Sequence, residues 1–309
     1  MQRVIEYIIS ENTSPVTILD FLKREGFSRH ILSSMKNASD TIILNGERGF
    51  GRSVLMPQDH LVITVPETES GESIIRTKME LKILYEDEDI LVINKPADMP
   101  VHPSAGNYEN TLANGIAWYF DEKGEDFVYR CINRLDRDTT GALILAKNPL
   151  SAAILSVQMR NRQICRIYLA LVDGVLPESG TIDAPIARMD GSVITREVNF
   201  QNGESAVTHY ERLAVGKDYS LAELHLETGR THQIRVHMKY IGHPLPGDFL
   251  YNPDYRWIKR QPLHSYQLEF THPVTKKAML FTAPVPADFV SAFWSNQNHS
   301  AGKKIVHQH

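Results

Sequence analysis

The sequence is poor in cysteine, with two in 309 residues, and it has no apolar run long enough to cross a bilayer. Cys131 and Cys165 stand in apolar, strand-like surroundings, so they are expected to be buried free thiols rather than a disulfide or a metal pair. The opening Met1-Gln2-Arg3-Val4-Ile5-Glu6 lacks the apolar centre of a signal peptide, and a cytoplasmic protein is expected. An excess of positive charge is also missing: the net charge is -4, which argues against a uniformly basic nucleic-acid binder. What is present is ordinary globular material, 42% hydrophobic and 23% charged. That length suits one large domain with a small companion, or two domains.

The average charge conceals blocks. Residues 130–166 hold seven Lys/Arg against two Asp, and residues 227–260 hold six Lys/Arg against three Asp/Glu. Residues 80–129 hold three Lys against eleven Asp/Glu. Two distant segments can therefore build one basic surface, or the blocks can simply solvate different faces.

The densest polar stretch is Asn133-Arg134-Leu135-Asp136-Arg137-Asp138-Thr139-Thr140-Gly141. It lies between β-forming Phe127–Ile132 and the apolar run Gly141–Ala146, so strand, loop and strand are predicted. Two readings stand at this point. A rigid loop holds a carboxylate ionised among arginines, or a turn has Asp side chains bonded to its own backbone.

Residues 17–65 read as a small unit: a helix from Thr17, a second capped by Ser28, a strand at 41–46 running into an Asn-Gly turn, and a strand at 59–65. Residues 66–77 are acidic and polar, as a linker is. The acidic turn Glu86-Asp87-Glu88-Asp89, between predicted strands, is expected to face water. His102, in a Pro-rich loop, is expected at the surface or in packing. Asn148-Pro149 opens a helix that ends near Arg160 and Arg162, both available for phosphates. The strand Ile167–Gly174 places Tyr168, Ala170 and Val172 on one face.

A second dense motif is Thr228-Gly229-Arg230-Thr231-His232-Gln233-Ile234-Arg235-Val236-His237. Thr231 is expected to cap a helix, and Gly229 to allow an unusual turn that presents Arg230 at a strand end. The two His are five apart, not the four that puts ligands on one helix face, so no metal site is expected. Tyr255, Arg256, Trp257, Lys259 and Arg260 make a basic-aromatic loop. It suits stacking on single-stranded bases, and a surface loop with a packed Trp explains it equally.

Arg134-Leu135-Asp136 with Asp138-Thr139-Thr140-Gly141, the Tyr168 strand and the Arg230 motif together resemble the RluA-type RNA pseudouridine synthases. Asn94-Lys95-Pro96, Val101-His102-Pro103, Ile241-Gly242-His243-Pro244-Leu245 and Gly247-Asp248 extend the likeness over residues 80 to about 288. The helix-helix-strand unit ahead of it resembles the S4 RNA-binding module, though with only six Lys/Arg against four Asp/Glu between Thr17 and Ser53. The resemblance implies an α+β fold: a mixed, largely antiparallel sheet with flanking helices and a central cleft. The implied division is an S4-like module at 1–66, a linker at 67–78, a catalytic domain at 79–290 and a tail at 291–309.

The resemblance also implies roles. Asp136 corresponds to the catalytic carboxylate, Arg230 to its ion-pair partner and Tyr168 to the tyrosine that packs on the uracil. Arg134 corresponds to the side chain that fills the gap left by a flipped-out base. Leu226 and Ile234 are expected to wall the pocket. Asn133, Arg137, Arg160 and Arg162 complete the expected substrate-side set, with Asn133 standing where the family commonly has His. Arg166 stands where a Lys often precedes the Tyr strand. Isomerisation needs no cofactor, and none is expected. The expected partner is RNA, ribosomal ahead of transfer RNA, met by a monomer with no membrane contact. A glycoside hydrolase is disfavoured because Asp136 and Asp138 are two apart in a loop between arginines. A non-catalytic RNA-binding or ribosome-assembly factor remains as an alternative of another class.

Overall fold

The computed structural model describes residues 2–38, 40–71 and 73–295. The N-terminal unit contains β1 (Arg3–Ile8), β2 (Val16–Thr17), α1 (Ile18–Arg24), α2 (Arg29–Asn37), β3 (Ile42–Leu44), β4 (Glu47–Arg48), β5 (Val54–Leu55) and β6 (His60–Val65). Both helices start where their caps predict, with the Thr17 hydroxyl accepting from the Asp20 N–H and Ser28 accepting from Ile31. Asn45 and Gly46 both have positive φ, 52° and 84°, as a tight hairpin turn between β3 and β4 requires. The sheet runs β1-β6-β3-β4. Ile18, Leu22, Ile31, Leu61 and Ile63 fill the space between it and the helices.

The larger unit follows with β7 (Ile83–Glu86), β8 (Ile90–Lys95), α3 (Leu112–Glu122), β9 (Thr140–Ala146), α4 (Pro149–Arg160), β10 (Cys165–Asp173), β11 (Ser179–Asp183), β12 (Ile186–Arg188), β13 (Arg196–Val198), β14 (Val207–Val215), β15 (Tyr219–Leu226), α5 (Gln233–Tyr240), β16 (Leu263–Thr271), β17 (Ala278–Thr282) and α6 (Ala287–Ser295). Nine of these strands form one sheet, ordered β11-β14-β15-β10-β16-β9-β8-β7 with β17 on β16. Every pairing is antiparallel except the short one of β16 with β9. This is the mixed, largely antiparallel α+β fold expected. Both sheet faces are covered, which is why β9 reads as an unbroken apolar run and is buried at every position. On β10, Tyr168, Ala170 and Val172 join one core while Leu169 and Leu171 join another, beneath α6.

Four expectations of organisation need correction. Residues 127–132 form no strand. They run beside β9 with single backbone bonds, Ile132 N–H to Ile144 O and Arg130 O from Ala146 N–H. The acidic turn does not simply face water. Asp89 is buried, bonded bidentately by Arg3 at 2.9 Å to each oxygen and by Asn148 at 2.8 Å, while Asp87 pairs with His272 at 2.9 Å. Carboxylates packed in one turn can leave water only with such partners, and here one partner comes from β1, so the turn fastens the N-terminal unit to the larger one. Cys165, the first residue of β10, is exposed and Cys131 is half-buried; both are free thiols. Finally, α6 extends through residues 291–295, and Phe289, Ala292 and Phe293 bury its inner face. The expected tail therefore gives way to helix there, and its remainder, 296–309, lies outside the described residues.

The expected linker at 67–78 has no regular structure in its described residues, yet it is docked. Glu67 pairs with Arg130 at 2.6 Å, Arg76 with Asp121 at 2.6 Å, and the Ile75 carbonyl accepts from Asn114.

Candidate active site

The stretch Asn133–Gly141 is held from three sides. The Asn133 side chain is buried and takes the place of a strand neighbour: its Oδ1 accepts the Ile144 N–H at 2.9 Å, and its Nδ2 lies 3.5 Å from the Ala142 carbonyl. Lys95, wholly buried, donates to three carbonyls, those of Pro96 (2.7 Å), Met99 (2.9 Å) and Arg137 (2.8 Å). Burial draws its ammonium down to about 7, with Asp138 and Asp136 opposing. A turn closes with the Thr139 N–H on the Asp136 carbonyl at 3.1 Å. Gly141, at φ +109°, then passes so close to β16 that a Cβ would stand 2.2 Å from the Ser265 carbonyl oxygen; no other residue fits.

Asn133 therefore acts on the loop from within the fold. Asn133→Ala strands the Ile144 N–H and is expected to lower unfolding stability by about 1–3 kcal/mol. Urea titration measures this; an unchanged midpoint would show that the side chain carries none of the anchoring.

Asp136 projects from this loop into a cleft of about 550 Å³. Asn133, Arg134, Arg160, Arg162, Tyr168, Leu226, Arg230 and Ile234 line the same cleft. Of the predicted substrate-side residues, Arg137 alone is not in that lining. It pairs with Asp138 at 2.9 Å on the loop's outer side, and its guanidinium lies 5.5 Å from the centre of the Phe249 ring.

The ion-pair partner of Asp136 is Arg235, and the expectation for Arg230 is corrected. Arg235 Nη1 donates to Asp136 Oδ2 at 2.8 Å. Its remaining fork is bidentate on the buried Asp248, with Nε at 2.6 Å and Nη2 at 2.8 Å. Arg230 instead is exposed in the loop before α5. It pairs with Glu204, and its Nε donates to the Ser205 carbonyl at 3.0 Å.

The reason is local. The helix begins one residue later than a Thr231 cap predicts: His232, in the left-handed region at φ 59°, occupies the cap position without a side-chain cap bond. The Gln233 side chain holds the turn instead, accepting from the Arg230 N–H and the Thr228 hydroxyl. The first six residues of α5, Gln233 to Met238, are buried, which carries Arg235 inward. Gly229 does not need positive φ, and a Cβ there would meet only the guanidinium end of Arg166, 2.9 Å from Nη1, so neither conformation nor backbone space demands the glycine.

The electrostatics follow from this arrangement. Burial works to raise the Asp136 carboxyl, but His232, Arg235 and Arg134 outweigh it, and the group is held below its usual value. Burial between Asp136 and Asp248 would lower Arg235, yet its two carboxylate partners raise it further. Burial, with Asp136 adding and Arg166 opposing, raises Tyr168, which therefore stays a neutral phenol at pH 7. A carboxylate ionised at neutral pH thus shares the cleft with apolar Tyr168, Leu226 and Ile234 and with the cations Arg134, Arg160 and Arg162. Such a site suits an anionic polymer with one planar group inserted.

The basic-aromatic loop after Tyr251 is largely self-engaged. Arg256 pairs with Asp254 at 2.6 Å, Lys259 bonds the Tyr255 carbonyl, and Arg260 turns inward onto Asp288 and the Asp138 carbonyl. Trp257 is exposed rather than packed. His102 is exposed, edge-on to Tyr129.

Comparison with known proteins places these features in a family. Residues 89–240 match the family model for RNA pseudouridylate synthase. An uncharacterized RNA pseudouridine synthase of Bacillus subtilis is 39% identical over 285 residues, covering 92% of this chain and all of that protein. Ribosomal large subunit pseudouridine synthase D of Pseudomonas aeruginosa is 38% identical over 268 residues, 80% of this chain and 83% of that one. Among solved structures, human RNA pseudouridylate synthase domain containing 1 superposes with a TM-score of 0.56 at 27% identity, over 71% of this chain and 86% of that one.

Proposed function

The chain belongs to the RNA pseudouridylate synthase family, and from that premise we propose that it converts specific uridines of large-subunit ribosomal RNA to pseudouridine, with Asp136 as the catalytic carboxylate. The observation that carries the assignment of roles is the ion pair of Asp136 with the buried Arg235 inside a cleft floored by Tyr168. The ribosomal target is supported by the names of relatives such as the Pseudomonas aeruginosa protein. We further propose that the enzyme works in the cytoplasm as a monomer, and that residues 1–66 act as an S4-like module. Among the described residues no helix is long and apolar enough to cross a membrane.

The reaction breaks the N1–C1′ bond, turns the uracil within the site and joins C5 to C1′. The C5 proton leaves to solvent and N1 gains one, so the sum is an isomerisation. Asp136 begins it, either by attacking C1′ or by removing the C2′ proton, and in both cases it must be ionised. Arg235 keeps it so and fixes its direction. The target base must leave its stack, at a cost of roughly a few kcal/mol. Arg134, exposed at the rim, is placed to occupy the space the base vacates. Tyr168, Leu226 and Ile234 sandwich the uracil, and Arg160 and Arg162 meet backbone phosphates.

Release of tritium from C5-labelled uridine in a large-subunit rRNA transcript, with a transfer RNA transcript in parallel, tests the proposal. Release from the ribosomal transcript is expected. Release from tRNA alone would reassign the target, and binding of RNA without release from either would support a non-catalytic assembly factor.

Because Arg230 is exposed and bonded to Glu204 rather than to Asp136, Arg230→Ala is expected to weaken RNA binding by about threefold to tenfold with kcat within about twofold. A single phosphate-contacting cation contributes on this scale. A fall in kcat with unchanged binding would return Arg230 to the chemistry.

A further inference from the structure

His232 also stands beside Asp136 in the cleft. Its Nε2 lies 4.0 Å from Asp136 Oδ1, on the carboxylate oxygen that Arg235 does not take. Its Nδ1 lies 2.9 Å from the Tyr251 hydroxyl, and that hydroxyl oxygen already accepts the Arg196 backbone N–H at 2.9 Å. Tyr251 is buried, and Nδ1 is the only acceptor recorded for its hydrogen among the described residues.

Placing the Tyr251 hydrogen on Nδ1 gives the chain of bonds one direction. Arg196 N–H donates to Tyr251 oxygen, Tyr251 O–H donates to Nδ1, and the ring proton is left on Nε2, facing the cleft beside a carboxylate. His232 takes a left-handed backbone conformation at the start of α5, and its ring is spent on no helix cap. At pH 7 the ring is neutral, because burial lowers it, with Arg235 and Arg196 adding and Asp136 and Asp248 opposing without prevailing; only in acid does it become the cation that lowers Asp136.

A neutral N–H donor 4.0 Å from a carboxylate oxygen brackets a hydroxyl group. An oxygen about 2.8 Å from each atom accepts from Nε2 and donates to Oδ1. The substrate hydroxyl that must come closest to Asp136 is the one on the sugar carbons it attacks or deprotonates. We infer that His232 Nε2–H binds the ribose 2′-hydroxyl of the target uridine, so that the Tyr251–His232–Asp136 chain reads the sugar as ribose and seats C1′ against the carboxylate. The inference rests on the reading of the cleft as a uridine site. The 2′-hydroxyl is also the group by which a site distinguishes RNA from DNA.

The test is a cycle between protein donor and substrate acceptor. Single-turnover conversion is measured on a synthetic large-subunit rRNA stem-loop whose one target carries uridine or 2′-deoxyuridine. Wild type is expected to lose about tenfold on the deoxy target. His232→Phe is expected to lose about tenfold on the ribose target and to show no more than about twofold between the two sugars. His232→Gln, which keeps an N–H donor, is expected to recover part of the preference. Equal ribose-to-deoxyribose ratios in wild type and His232→Phe would overturn the inference, while no conversion of the ribose target by wild type would instead fail the uridine reading itself. Nitrogen-15 spectra of histidine-labelled enzyme give a check without substrate, with the His232 signals assigned by their loss in the Gln variant. The Nε2–H form is expected in wild type and a mixture of tautomers in Tyr251→Phe; an Nδ1–H form in wild type would overturn the inference.

Discussion

Asp136→Asn is expected to abolish C5 tritium release, a loss of at least about four decades, or about 5 kcal/mol of barrier. The amide has almost the same shape and still offers an oxygen to Arg235 Nη1, so the cleft should persist and RNA binding should stay within about twofold. What it lacks is the negative charge and the free lone pairs of a carboxylate, which either opening step demands. The variant is also expected to fold, because Arg235 retains both oxygens of Asp248. Filter binding beside tritium release separates the two effects. A variant that remains active would remove Asp136 from the chemistry.

The pH dependence follows with a definite sign. The Asp136 carboxyl is held below its ordinary value of 3.8. Its contribution to stability is therefore complete above the unfolded value and is lost as pH falls through the folded one. Protonation of Asp136 should not limit the rate until pH is below about 4.

Arg235→Met is expected to have the largest effect on stability, about 3–5 kcal/mol, together with a fall in rate of at least a hundredfold. The guanidinium has only 1% of its side chain exposed and touches two carboxylates, one of them at 0%. Removing the cation leaves Asp248 buried with, among the described residues, only the backbone N–H groups of Leu250 and Tyr251 as partners. Breaking a buried pair from one side costs this much because the remaining charge is uncompensated. Arg235→Lys keeps the charge but cannot reach both carboxylates in a fork, so it should fall between wild type and Met. Denaturation curves measured beside single-turnover rates decide the matter. A Met variant as stable as wild type would mean that Asp248 and Asp136 do not depend on Arg235.

These two effects also mark where the sequence could be read and where it could not. The local signals were sufficient for the helix caps at Thr17, Ser28 and Asn148, the Asn-Gly turn at 45–46 and the two-faced strand around Tyr168, because each depends on neighbours in sequence. The cleft residues were legible as a group from motif order. The partner of Asp136 was not, because two arginines five residues apart flank one helix start. Which of them faces inward depends on a cap at His232 whose left-handed backbone no propensity signals. Asp248 had a signal, since Gly247 before it announces a tight turn, but its partner lies 13 residues away. Asn133 looked like a substrate contact because it precedes the catalytic triplet; its bond to Ile144 exists only once residues 127–132 fail to pair fully with β9. The acidic turn misled for the same reason, since Arg3 lies 86 residues from Asp89.

Pseudouridine mapping in ribosomal RNA from cells lacking this protein, complemented with wild type or Asp136→Asn, tests the central claim most directly. The account predicts that one or more large-subunit pseudouridines disappear in the deletion, return with wild type and stay absent with the Asn variant. Their return with Asp136→Asn, or an unchanged set in the deletion, would contradict it.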